Sequence, residues 1–184
     1  MSTVLLLGGA RSGKSSKAEQ MARQSDGPVL FVATAQAFDD EMKRRIAAHR
    51  EVRPPEWQTL EAPGNIAKQL SQKAAGFNTV IIDCITLLVS NIVGSESLGD
   101  EQLPDTSAIE EKLDREINGV VDCIAQFPAR FIIVSNEVGL GLVPEYPAGR
   151  LYRDLLGRAN QMLAEVADEV FFMVAGQMLK VKPQ

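Results

Sequence analysis

Short, unbroken apolar runs alternate along this chain with longer stretches whose apolar positions recur every three or four residues. The runs fall at 3–7, 29–33, 79–83, 130–134 and 169–174. Continuous Val, Ile, Leu and Phe fit strands buried on both faces, whereas three- and four-residue recurrence marks one face of a helix. Helices are therefore expected over 15–24, 38–50, 65–74, 107–126 and 148–167, with a short extended piece at 58–60 and a closing strand at 178–182. In the helix over 38–50 the recurring positions are Phe38, Met42, Ile46 and His49; in the one over 107–126 they are Ile109, Leu113, Ile117, Val120 and Val121. Gly27-Pro28 breaks the chain before the second strand, and Pro54-Pro55 ends the helix before it. Residues 94–105, rich in Gly, Ser and acids, read as a mobile loop, and 135–147 as a second loop. Strands alternating with helices predict an α/β fold, a mostly parallel sheet with helices on both faces, in one domain over 1–184.

Composition narrows the class. The 184 residues are 45% hydrophobic and 23% charged, as in an ordinary globular protein. No apolar run approaches the ~20 residues of a membrane span. No basic segment, apolar stretch and cleavage site stand at the start, so a cytoplasmic location is expected. The net charge of −5 argues against a nucleic-acid partner, which calls for an excess of Lys and Arg. Local positive groups holding a small anion fit better. Cys84 and Cys123 have no metal-ligand spacing, and are expected to be reduced, buried packing residues.

One motif carries specific chemistry. Gly8, Gly9, Ala10, Arg11, Ser12, Gly13, Lys14 and Ser15 match G-x-x-x-x-G-K-[ST], between a strand and a helix. Glycines let consecutive backbone N–H groups turn toward phosphate oxygens, and the following helix adds its positive end. Lys14 supplies charge to the β- and γ-phosphates, and Ser15 a hydroxyl to Mg²⁺. Asp83, closing an apolar strand, is the candidate second metal ligand; a helix-capping role is the alternative.

His49 is the only histidine. By pattern it is either a half-buried, hydrogen-bonded residue of a helix seam or a nucleophile. Arg44, Arg45, Arg50 and Arg53 around it form either a solvated face or a phosphate clamp.

Several segments together resemble one family: the cradle over 8–15, Ala33-Thr34-Ala35-Gln36, Asp39-Asp40-Glu41-Met42 through His49, Arg53-Pro54, and Trp57-x-Thr59-x-Glu61. Asp83-Cys84-Ile85-Thr86 with Ser90-Asn91, the stretch from Ser135 to Glu145, Arg153 to Gln161, and Ala167-Asp168-Glu169-Val170 complete the match. The chain is similar over nearly its whole length to the bifunctional adenosylcobinamide kinase / adenosylcobinamide-phosphate guanylyltransferases of cobalamin biosynthesis. The resemblance implies a RecA-like P-loop NTPase fold and a homotrimer. It implies two reactions: phosphorylation of the aminopropanol hydroxyl of adenosylcobinamide by ATP or GTP, then transfer of GMP from GTP to adenosylcobinamide phosphate. The second passes through a guanylylated histidine, which falls on His49. Carried over residue by residue, the nucleotide contacts fall on 8–15, Ala33, Thr34, Ala35, Arg50, Glu51, Val52, Arg53, Glu61 and Asp83, with Lys14 catalytic and Mg²⁺ on Ser15 and Asp83. Asn136 and Glu137 stand at a strand's carboxyl end, where they face a ligand or metal or hold their own loop together. The competing readings are a single-activity P-loop kinase for another small alcohol and a slow nucleotide-hydrolysing switch module.

Overall fold

The computed structural model describes residues 2–36, 40–51, 53–95 and 106–183, without the side chains of residues 41, 42, 45, 48 and 49. Phe38, Val52, the side chains of Met42, Arg45 and His49, and residues 96–105 of the expected loop thus lie outside the described residues. Seven strands, β1 (Thr3–Gly8), β2 (Val29–Ala33), β3 (Gln58–Glu61), β4 (Thr79–Asp83), β5 (Arg130–Val134), β6 (Glu169–Val174) and β7 (Gln177–Lys182), form one sheet in the order β3-β2-β4-β5-β1-β6-β7. Every neighbouring pair is parallel except β6 and β7, which form an antiparallel hairpin at one edge. Six helices among the described residues accompany them: α1 (Lys14–Arg23), α2 (Asp40–Glu51), α3 (Ile66–Lys73), α4 (Ile85–Ser95), α5 (Thr106–Gln126) and α6 (Pro147–Val166).

Strand side chains alternate between two faces, so each strand feeds two cores. Leu5, Leu30, Val32, Val80, Ile82, Phe131 and Ile133 point toward α3, α4, α5 and α6, where Leu70, Leu88, Ile92, Leu113, Ile117, Leu156 and Leu163 bury against them. Val4, Leu6, Val29, Phe31, Ile81, Ile132 and Val134 point the other way, and α1 covers them with Ala18, Met21 and Ala22. Each fully buried Leu or Ile contributes roughly 1.5–3 kcal/mol. Helices therefore lie on both faces, as the sequence predicts.

One local feature differs from expectation. Helix α4 was not foreseen. Its buried residues, Ile85, Thr86, Leu88, Val89, Ile92 and Val93, line one face at helical spacing, but between Ile85 and Ser95 the helix carries no charged residue to mark the opposite face. It runs through Gly94 and Ser95, the first two residues of the stretch expected to be a loop. At the sheet edge, Ala175 and Gly176, with φ of 49° and 80°, make the two-residue turn that joins β6 to β7.

Candidate functional site

Because β1 to β6 are parallel, their carboxyl ends gather on one edge, where α/β sheets bind ligands. The register aligns them: Ala33 pairs with Asp83 and with Glu61, and Asp83 pairs with Val134. A cleft of about 1170 Å³ opens there. Its wall holds Ala10 to Ser16 from the glycine-rich loop, Ala33, Ala35, Asp83, Cys84, Thr86 and Asn136 from the strand ends, and Lys43, Ile46, Ala47, Arg50, Glu51, Arg53 and Glu61 from the α2 side. Of the nucleotide-contact residues expected from sequence, Ala10, Arg11, Ser12, Gly13, Lys14, Ser15, Ala33, Ala35, Arg50, Glu51, Arg53, Glu61 and Asp83 are brought together there. Gly8, Gly9 and Thr34 do not line the cleft, Gly8 and Thr34 being buried and Gly9 exposed beside it. The imidazole of His49 and all of Val52 lie outside the described residues, although the backbone of His49 belongs to α2.

The glycine-rich loop owes its shape to backbone constraints. Gly13 has φ of 96° and caps α1, so the positive end of that helix opens directly on the cleft. A Cβ on Gly13 would lie 3.3 Å from Cα of Gly176, and the Gly176 N–H donates to the Ser12 carbonyl at 3.0 Å. The β6–β7 turn thus braces the loop from behind. That brace was invisible in the sequence, where Gly176 is some 160 positions away from the motif. The Lys14 ammonium, in a residue only 6% exposed, donates to Gly8 O at 3.0 Å, Gly9 O at 2.7 Å and Ser12 Oγ at 3.3 Å. Burial lowers its pKa, while nearby Cys84 and Asp83 favour its charged form.

Across the sheet, β5 lies between β1 and β4, so its tip separates the Lys14 loop from Asp83. Asp83 is half-buried on the cleft wall. Cys84 follows it through a cis peptide and lines the cleft rather than packing wholly inside, which corrects the expectation for that cysteine. Its thiol is pushed up to about 11, first by burial and then by the neighbouring Asp83 charge. Cys123 is buried as expected. Asn136 lines the cleft, held by its N–H donating to Thr86 Oγ1 at 2.7 Å and its carbonyl accepting from Asn160 Nδ2 at 3.0 Å. Glu137 instead turns back on its own loop, accepting from the N–H groups of Gly139 and Leu140.

The third wall is basic. Arg50 on α2 meets Glu61 at the end of β3, Nη2 to Oε1 at 2.5 Å. The Arg53 guanidinium lies 3.6 Å from the centroid of the Phe31 ring, a cation–π stack that orients it. Its Nε is buried with no hydrogen-bond partner among the described residues, a donor suited to an anionic ligand. Burial lowers the Arg53 pKa against the opposing pull of Asp83, without threatening a guanidinium's charge.

The donors also fit a magnesium ion. Ser15 and Asp83 offer a hydroxyl and a carboxylate on one cleft, and no cluster of three or more His, Cys, Asp or Glu able to hold a metal occurs among the described residues. One or two oxygen ligands, with phosphates and water completing the shell, is how Mg²⁺ is bound beside nucleotides.

Comparison with known proteins agrees with this geometry. The RadB recombinase superposes with a TM-score of 0.51 at 15% identity, covering 93% of this chain and 73% of that one, which shows a RecA-like P-loop NTPase fold. The bifunctional adenosylcobalamin biosynthesis protein CobU of Salmonella typhimurium is 40% identical, covering 97% of this chain and 99% of its own. CobP of Pseudomonas aeruginosa, which carries the same description, is 42% identical over 97% and 96%. CobU of Escherichia coli is 38% identical over 97% and 99%. Residues 4–181 match the family described as cobinamide kinase / cobinamide phosphate guanyltransferase. With cradle, cleft and full-length similarity in agreement, the chain belongs to the cobinamide kinase / cobinamide phosphate guanyltransferase family.

Proposed function

We propose that this chain phosphorylates the aminopropanol hydroxyl of adenosylcobinamide and then transfers GMP from GTP to that phosphate, through a guanylylated His49. The observation that carries this reading is the cleft itself. A phosphate cradle with Lys14 and Ser15 forms one wall, and α2 contributes Lys43, Ile46, Ala47, Arg50 and Glu51 to another. His49 belongs to that helix.

In the first reaction the substrate hydroxyl oxygen attacks the γ-phosphorus, its proton leaves, and the nucleoside diphosphate departs. Backbone N–H groups of residues 8–15 and the Lys14 ammonium hold the phosphate oxygens and absorb charge as it develops. In the second, an imidazole nitrogen attacks the α-phosphorus of GTP; a P–N bond forms and pyrophosphate leaves. The corrinoid phosphate oxygen then displaces the imidazole, forming the diphosphate linkage of adenosylcobinamide-GDP and restoring free His49. Arg50 and Arg53 supply positive charge on the α2 side. Mg²⁺, held by Ser15 and Asp83, would offset phosphate charge and fix the triphosphate geometry. Ala33, Ala35, Glu51, Val52 and Glu61 complete the nucleotide contacts, whereas Thr34, expected among them from the resemblance, is fully buried with its hydroxyl held by Cys84 and stands behind them. A homotrimer and a cytoplasmic location belong to the same reading; no helix among the described residues is long and apolar enough to cross a membrane.

The test is incubation with Mg²⁺ and GTP labelled at the α-phosphate, followed by denaturation. Acid-labile, base-stable label is expected on the wild type and none on His49→Ala, which keeps most of its adenosylcobinamide kinase activity. A wild type that phosphorylates but never retains label would point to a single-activity kinase.

A further inference from the structure

Three strand ends that carry assigned nucleotide contacts are tied together by two side chains outside the cleft wall. Thr34 is completely buried, yet its hydroxyl is fully engaged. Oγ1 donates to the Cys84 carbonyl at 2.6 Å and accepts from the Cys84 N–H at 2.8 Å. The Thr34 N–H donates to the Asp83 carbonyl at 3.2 Å. One residue at the exit of β2 therefore grips the backbone on the residue bearing the candidate metal carboxylate and on the residue after it.

Asn91 extends the grip. From α4, its Nδ2 donates to Thr34 O at 2.9 Å and to Pro63 O at 2.9 Å. Pro63 lies two residues after Glu61, and the Ala62 N–H between them donates to Ala33 O at 2.8 Å. Beyond the last ladder pairs of the sheet, the backbone between β2, β3 and β4 is held by this side-chain network. Chains leaving a sheet edge otherwise turn to water for hydrogen bonds and gain freedom.

We infer that Thr34 and Asn91 are positioning residues that set the Asp83 carboxylate for the metal–nucleotide complex while touching neither. This rests on the functional reading above only in needing a metal-bound nucleotide in the cleft. Threonine suits the role because a hydroxyl both donates and accepts. Serine retains that capacity; valine keeps the shape and leaves the Cys84 N–H and carbonyl without their partner.

The test compares wild type, Thr34→Val, Thr34→Ser and Asn91→Leu in equilibrium binding of a fluorescent, non-hydrolysable GTP analogue, titrated with Mg²⁺ without turnover. Each protein is studied at a temperature where its circular dichroism shows it folded. A positioning role predicts that Thr34→Val and Asn91→Leu need about tenfold more Mg²⁺ for half-maximal binding, as changes behind a metal ligand commonly do. Thr34→Ser stays within about twofold of wild type, and nucleotide binding in EDTA is the same for all four. Amide hydrogen exchange at Cys84 accelerates in Thr34→Val and not in Thr34→Ser. Variants that lose thermal stability but keep the wild-type Mg²⁺ dependence would overturn the inference. Loss of covalent labelling in the wild type would instead overturn the guanylyl-transfer reading and leave this titration intact, because the cradle binds nucleotide without His49 chemistry.

Discussion

Arg50 Nη2 and Glu61 Oε1 lie 2.5 Å apart, joining the helix that bears His49 to the end of β3. Both side chains are more than half exposed, at 58% and 57%, so the pair contributes little to folding. Its value lies in fixing where α2 stands relative to the sheet edge. Glu61→Arg is expected to change unfolding free energy by no more than about 0.5 kcal/mol. It should lower guanylyl labelling about tenfold, roughly 1.4 kcal/mol of transition-state positioning. The swap Arg50→Glu with Glu61→Arg should recover part of that loss. Urea melts and labelling rates measured side by side check both halves.

Lys14 separates function from stability in the opposite direction. Burial lowers its pKa in the fold below the unfolded value of 10.5, so the charged form is disfavoured by folding. That cost is present below the folded pKa and disappears as pH rises past 10.5. Lys14→Met removes that cost together with the hydrogen bonds to Gly8 O, Gly9 O and Ser12 Oγ, so wild-type stability is expected to rise relative to the variant as the solution is made alkaline. Both transfer reactions should fall by about 10²–10³ through loss of the phosphate-directed charge. Stability curves of the two proteins that run parallel from neutral to alkaline pH would contradict this account.

Cys84 makes a pH prediction. Its thiol is raised from 9.0 to about 11 by burial and the Asp83 charge. An acid whose folded pKa is raised stays protonated in the fold while the unfolded chain ionises. The stability present below pH 9 is thus lost progressively between pH 9 and about 11. Cys84→Ala should flatten the alkaline limb of a stability–pH curve over that window. Alkylation of Cys84 by iodoacetamide in the folded protein should be slow at pH 7 and climb with pH, since the thiolate is the nucleophile. Fast modification at neutral pH would show that the thiol is not shielded as described.

The brace behind the phosphate loop can be tested with a matched control. Gly176 and Gly76 have φ of 80° and 91°, and an added Cβ at either meets nothing within 4 Å. Alanine at each position should cost about 1 kcal/mol of stability from backbone strain alone. Only Gly176→Ala should also weaken nucleotide binding several-fold, about 1 kcal/mol, because relaxing the strained backbone there displaces the N–H that holds the Ser12 carbonyl. Equal nucleotide affinities in the two variants would remove the brace from the site.

Most of the scaffold was legible because its signals are local. The run over 79–83 reappears as β4, 130–134 as β5, and the spacing of Ile109, Leu113, Ile117 and Val120 as the buried face of α5. The glycine-rich loop was readable for the same reason, since strand, turn and helix are contiguous. Helix α4 was not, because its exposed face carries no charged residue and so marks the period only faintly. Cys84 packs partly against the core as expected but was read as fully buried, because an apolar neighbourhood in sequence does not reveal that a strand end opens on a cleft.

Sequence by itself determined the residue types and their order: a phosphate cradle over 8–15, an acid closing a strand, one histidine on a basic helix, and family motifs along the chain. Tertiary structure decided which of these meet. Parallel pairing put the ends of β2, β3 and β4 in one register, β5 came to stand between the Lys14 loop and Asp83, and Thr34, Asn91 and Gly176 came to hold backbone from positions distant in the chain. The physical reason is range. Propensity, turn chemistry and hydrophobic period act over a few residues, whereas a hydrogen bond between Asn91 and Thr34 exists only after the whole sheet has assembled.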